Sequence, residues 1–96
     1  MKRKKMNEIL YEGIVREISQ PRSFESKDGR SHTERTLLVE TDEEYPQTCA
    51  VRTVDAVAMQ MYALGCRVRC HLKMRATQGK SGVWFTEVKA WRVEMI

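Results

Sequence analysis

The stretch from Arg67 to Arg75 constrains the fold more than any other part of the chain. Val68, Cys70, Leu72 and Met74 alternate without a break with Arg67, Arg69, His71, Lys73 and Arg75. A period of two places the apolar set on one face of a strand and the basic set on the other, so the segment belongs to a sheet with one packed face and one wet face. A helix would scatter the same residues around its circumference. With 96 residues in all, the chain has room for a single core around such a strand. Its 42% apolar and 31% charged content is that of a folded domain and excludes disordered or collagen-like chains. No apolar run approaches the roughly 20 residues of a membrane span. The basic start MKRKKMNE is followed at once by Glu12 and Arg16 rather than by the apolar core of a signal peptide. A cytoplasmic protein with no membrane partner is expected. Cys49, Cys66 and Cys70 are odd in number and lack framework spacing, which points to reduced thiols, two of them filling core space.

The remaining elements arrange themselves around that strand. ILYEGIVREI, residues 9–18, reads as a first strand with Gly13 marking a bulge or sharp coil. Residues 21–32 are rich in Ser, Gly, Asp and Pro, with the turn pair Asp28-Gly29, and read as a long loop. Strands are predicted at 33–41 and 48–54, separated by the acidic DEE and the Tyr45-Pro46 step. Val57, Met61 and Leu64 then recur at helical spacing, with Asp55 as N-cap and Gly65 as stop, predicting a helix of about ten residues. After the fourth, alternating strand, TQGKSG turns the chain into VWFTEVKAWRVEM. There Trp84, Thr86, Val88 and Ala90 share the inward phase and Phe85, Glu87 and Lys89 the outward one, before the phase blurs at Trp91. Trp84 is therefore expected in the core and Phe85 outside. Three strands, one helix and two strands is the element order of the all-β, five-stranded Greek-key barrel called the OB-fold, with the helix between strands three and four. An SH3-like barrel lacks that helix, and a ferredoxin-like fold needs one after its first strand. The domain spans residues 8–96, and residues 1–7 form a flexible basic arm.

The arm holds the whole net charge of +4: without Lys2, Arg3, Lys4 and Lys5, the 17 basic residues fall to the number of the 13 acidic ones. The body is segregated along the sequence. Residues 34–44 hold Glu34, Glu40, Asp42, Glu43 and Glu44 against Arg35, whereas Arg67, Arg69, Lys73, Arg75, Lys80, Lys89 and Arg92 dominate the last third.

Several runs carry a family resemblance. ETDEEYP, the LG that closes the predicted helix, RVRCHLKMR and above all GVWFTEVKAWRVE resemble a family of short bacterial and phage proteins filed as a domain of unknown function. That family is similar in pattern to small single-stranded DNA-binding OB-folds. The likeness runs from about Tyr11 to Glu94 and implies an OB-fold and, by extension, single-stranded nucleic acid as partner; it supplies no activity to carry over.

A single-strand groove needs cations along the phosphates and aromatic rings under the bases. In an OB-fold the groove crosses the second and third strands and is flanked by the first and last hairpin loops. Arg22, Phe24, Lys27 and Arg30 would then line one side and Lys80 the other, with Arg35 and Arg52 on the floor and Lys73, Arg75 and Phe85 adding contacts from the last two strands. The exposed face of the third strand offers Thr48, Ala50 and Arg52 and no aromatic, so stacking falls to Phe24 and Phe85. The expected partner is DNA, with RNA as the alternative nucleic acid. A second reading is an OB-fold module that binds another protein, or itself, with the acidic and basic windows giving complementarity, and a homodimer is expected under either reading. No catalytic residues, metal or cofactor are expected: Gly79-Lys80-Ser81 lacks the earlier glycine of a phosphate loop, no CxxC is present, and no motif pairs His32 or His71 with a nucleophile.

Overall fold

The computed structural model describes residues 9–96. The predicted arm, including Lys2, Arg3, Lys4 and Lys5, lies outside the described residues. Within them the chain forms six strands: β1 (Ile9–Ile18), β2 (Arg22–Glu25), β3 (Ser31–Glu40), β4 (Thr48–Val54), β5 (Arg67–Gln78) and β6 (Trp84–Met95). Their order in the sheet is β1-β5-β6-β4-β3-β2, and β1 also pairs with β3, which closes the sheet into a barrel.

One strand serves both sides of that closure. β1 runs antiparallel to β5 from Ile9 to Ile14 and antiparallel to β3 from Ile14 onward. The register slips between Val15 and Glu17, so the irregularity expected of this strand falls at Arg16, three residues beyond Gly13. A second slip, between His71 and Leu72, sets Leu72 opposite Ala90 and His71 opposite Arg92. Trp91 is the extra residue, and this is why alternation in β6 blurs there.

Inward positions of the strands meet in one core of Val15, Leu37, Val39, Val51, Val68, Cys70, Leu72, Ala90 and Val93. Cys70 is buried, and burial pushes its thiol up to about 11. Cys49 and Cys66 pack half-buried against the same cluster. Thr53 is buried as well, and its hydroxyl donates to the Arg35 carbonyl at 2.8 Å, which satisfies the group the barrel has desolvated.

Three expectations are corrected. The stretch at 21–32 is not a plain loop: Arg22–Glu25 pairs with Ser31–Glu34 as a short hairpin that extends β3. No helix forms among the described residues. Asp55 adopts φ 53°, a left-handed conformation in place of the extended one an N-cap requires, and the chain continues through turns. Val57, Ala58 and Tyr62 reach the barrel and the Gln60 side chain donates to the Val93 carbonyl at 3.3 Å, while Met61 and Leu64 are exposed. Trp84, finally, is 64% exposed. It has the inward phase, but β5 and β6 continue as a hairpin past the end of the barrel, where the inward phase faces no core. Among the described residues no helix is long and apolar enough to cross a membrane.

Candidate nucleic-acid interface

The outward face of β3 and β4 lies between two hairpins, β2–β3 on one side and the protruding β5–β6 on the other. Alternation brings Glu34, Thr36 and Leu38 of β3 and Ala50 and Arg52 of β4 to this face, with Thr36 opposite Arg52 and Leu38 opposite Ala50. β2 adds Arg22 opposite Glu34 and Phe24 opposite His32. β6 and β5 add Phe85, Glu87, Lys89, Lys73 and Arg75.

Five of these side chains form one continuous ladder of ion pairs. Arg22 meets Glu34 at 2.6 Å, Glu34 meets Arg52 at 2.6 Å, Arg52 meets Glu87 at 2.5 Å and Glu87 meets Arg75 at 3.1 Å. It crosses β2, β3, β4, β6 and β5 in turn. Hydrogen bonding from Arg52 holds the Glu34 carboxyl below its ordinary value, and that from Arg75 does the same for Glu87. Cations stand at both ends and in the middle, so the ladder carries one excess positive charge.

Above it lies a row of planar groups. Phe24 is half-buried and stacks on His32 with ring centroids 5.2 Å apart and planes 25° from parallel. The Arg52 guanidinium carbon sits 5.1 Å from the Phe24 centroid, within cation–π range. On the far hairpin, Phe85 and Trp84 are exposed on opposite faces. The Phe85 ring lies so close to Gly79 that a Cβ there would come within 2.8 Å of it.

The anticipated residues thus divide. Arg22, Phe24, Arg52, Arg75 and Phe85 converge on the face. Lys27 and Arg30 are exposed in the β2–β3 turn, where Arg30 lies 3.5 Å from Asp28, and Lys80 is exposed in the β5–β6 turn. Lys73 is exposed opposite Lys89. Arg35 stands off the groove floor: it has the phase of Leu37 and Val39, the face opposite to Arg52, and its charge is felt by Tyr62. The rest of the basic face of β5 is engaged by carboxylates, Arg67 with Asp42 at 2.7 Å, Arg69 with Glu12, and His71 with Glu94. Trp91 is half-buried and tilts against His71 at 5.1 Å. The acidic and basic windows of the sequence meet in one of these pairs, Asp42 with Arg67, whereas Glu12 and Glu94 lie outside the acidic window.

Glu34, Glu87, His32 and Asp55 were not anticipated. One signal was present for Glu87: counting back from the β5–β6 turn pairs Arg75 with Glu87. His32 binds Asp55 at 2.8 Å and Ser26 at 3.1 Å, contacts that no local motif announces.

Residues 11–94 match the family described as Domain of unknown function (DUF3127). The chain belongs to that family. No curated protein matches it in sequence. Solved structures match in fold. One is the second OB-fold domain of replication protein A from Methanococcus maripaludis, at TM-score 0.70 and 17% identity, covering 91% of this chain and 81% of that one. Another is a deletion mutant of the single-stranded DNA binding protein from Thermus aquaticus, at 0.67 and 17%, covering 95% of this chain and 41% of that one. The wild-type Thermus protein follows at 0.64 and 15%, covering 95% and 50%. This chain thus spans half or less of the two Thermus chains. The DUF3127 chain is an OB-fold barrel; among the described residues it departs from the expected one in having no helix between the third and fourth expected strands and in having six strands, the short β2 being the addition.

Proposed function

We propose that this protein binds single-stranded nucleic acid, DNA in the first instance, across the face between its two hairpins and without chemistry. The observation that carries the reading is the convergence on one open face of Phe24, Arg52 and the exposed Phe85. Planar side chains of this kind take the faces of unstacked bases regardless of sequence, while Arg30, Lys27, Lys73 and Lys80 are placed around the rim to meet phosphates. The structural neighbours named for single-stranded DNA binding and for replication protein A support the same reading at the level of fold.

The test is fluorescence anisotropy with a labelled mixed-sequence single strand and an unlabelled duplex as competitor. Binding that the duplex fails to displace supports the reading, and Phe24→Ala and Phe85→Ala are each expected to weaken it about tenfold, the worth of one lost stacking contact. Absence of binding at low salt overturns it.

Residues 1–5 should add affinity through charge alone. Their removal is expected to lower the slope of log affinity against log salt by up to about three, from four phosphate contacts on a single strand. A salt titration of the full and shortened chains reads this directly, and an unchanged slope removes the arm from the interface.

A further inference from the structure

Strand register leaves one pair of like charges on the outward face that folding does not explain. Lys73 of β5 is the direct partner of Lys89 of β6, which puts their Cβ atoms about 5 Å apart on one face of the sheet. Both are exposed. On its other side Lys89 is the partner of Arg52 of β4, so three cations stand abreast across β4, β6 and β5. The arginines of β5 and β6 each meet a carboxylate: Arg67 with Asp42, Arg69 with Glu12, Arg75 with Glu87 and Arg92 with Glu94. Among the described residues, Lys73 and Lys89 meet none.

The carboxylates closest to them in the sheet are already committed. Glu87, diagonal to Lys73, gives one oxygen to Arg52 and the other to Arg75. Asp55 is held below its ordinary value first by its His32 hydrogen bond and last by the charge of Lys89, and its oxygens lie on the His32 ring and the Thr33 N–H. Like charges directly opposite each other destabilise a strand pair, and lysine is a poor strand former. Lysines do guard the open edges of sheets, but Lys89 has a paired strand on each side and guards no edge. The repulsion is therefore kept on an open face, with Phe24 against Arg52 on one side and Phe85 further along β6 on the other. An anion relieves it.

We propose that Lys73 and Lys89 form a phosphate seat, which holds a phosphodiester group of the bound strand between the rings of Phe24 and Phe85. This deepens the reading of the face as a single-strand interface and rests on it. Two ammonium groups act on a phosphate as point charges, and its arrival ends their repulsion. Stability and affinity then respond with opposite signs: removing either lysine stabilises the free protein and weakens the complex. Two lysines that were merely solvated would give the first effect without the second.

The experiment compares the intact protein with Lys73→Gln, Lys89→Gln and the double variant, by thermal melting without ligand and by anisotropy with the labelled mixed-sequence strand over a range of salt. Each single variant should melt about 2 to 4 °C above the intact protein. The second replacement should add little, because one removal already ends the repulsion. Each should also bind the strand about fivefold more weakly at about 0.1 M salt and lower the slope of log affinity against log salt by about 0.7, the worth of one phosphate. Lys80→Gln removes an equal charge from the β5–β6 turn, where no lysine opposes it, and should weaken binding without the gain in melting temperature. Inorganic phosphate at matched ionic strength separates the strand from the free anion. The difference in strand affinity between the intact protein and the double variant should persist in it; its disappearance would give the seat to the free anion and overturn the proposal. Variants that melt no higher than the intact protein, or that bind the strand within about twofold of it, overturn the seat and leave the interface standing. Absence of strand binding by the intact protein overturns the single-strand reading and the seat together, whatever the melting temperatures.

Discussion

Replacing Arg52 by alanine is expected to weaken single-strand binding about a hundredfold and to lower folding stability by about 2 kcal/mol. Both effects come from what the guanidinium leaves behind. Glu34 is 14% exposed and Glu87 24% exposed, and each has Arg52 within 2.6 Å. Without it, two carboxylates remain at the centre of the face, each with one arginine left, the more exposed Arg22 at 2.6 Å from Glu34 and Arg75 at 3.1 Å from Glu87. A fully buried pair broken in this way costs about 3 to 5 kcal/mol, and the partial exposure here lowers that figure. A phosphate chain then meets a ladder that has lost its excess positive charge and has two carboxylates at its centre, and the cation beside Phe24 is gone.

Arg52→Lys separates charge from geometry. A lysine keeps the positive charge but has no planar fork to span two carboxylates, so affinity should fall only in part while stability falls nearly as far as in the alanine variant. The acid limb supplies a second readout. Glu34 and Glu87 ionise below the ordinary 4.5 when folded, so their contribution is fully present above that value and disappears as the pH falls through the folded values. In Arg52→Ala the depression of Glu34 loses its main cause, and stability should decline less steeply between about pH 5 and pH 3 from a lower neutral plateau. Affinity within about threefold of the parent would remove Arg52 from the interface.

That ladder was only half legible in the sequence. Strand alternation is a local property, so β1 was read at the bounds it has, and Phe85, Glu87 and Lys89 were placed on the outward face where they lie. Pairing between distant strands is not local. Glu34 lies 18 residues from Arg52, and Arg52 lies 35 from Glu87; only the register of a closed barrel brings the three together. Arg35 beside them was assigned to the groove because a charged residue in a strand is read as outward, yet its position has the phase of Leu37 and Val39. Trp84 failed for the opposite reason. Its phase was right, but phase does not say where a hairpin outgrows the core it springs from.

The missing helix has a similar origin. Val57, Met61 and Leu64 have helical spacing, and Asp55 and Gly65 are credible punctuation for it. The Asp55 carboxylate instead goes to His32 and to the Thr33 N–H, on a strand more than 20 residues earlier, so it cannot cap the chain that follows. Gly65 does end the segment, at φ +86°, where its N–H donates to the Val15 carbonyl at 2.7 Å. Propensity gave way to a tertiary contact at the residue that would have started the helix.

The largest stability loss is expected from the smallest change, Gly13→Ala. Gly13 stands where β1 passes from β5 to β3, and its absent side chain is what lets the strands come together. A Cβ there would lie 2.4 Å from the Glu40 carbonyl oxygen and 2.8 Å from its carbon, with Val39 Cγ1 at 3.0 Å. The obstacle is backbone, and Glu40 is held on both sides, paired with Ile14 of β1 and with Thr48 of β4. It cannot yield without opening the barrel seam. Overpacking of this kind costs up to about 3 kcal/mol, and in a domain of this size that should lower the melting temperature by roughly 15 °C. Gly29→Ala provides the control. Gly29 has φ +82° but nothing within 4 Å of a Cβ, so its penalty is conformational only, about 1 to 2 kcal/mol. Urea titrations of the two variants should therefore separate, with Gly13→Ala the weaker at an unchanged dependence on urea. Equal midpoints would mean that the seam can relax around a methyl group, and the closure of this barrel would then rest on hydrogen bonding alone rather than on close approach at Gly13.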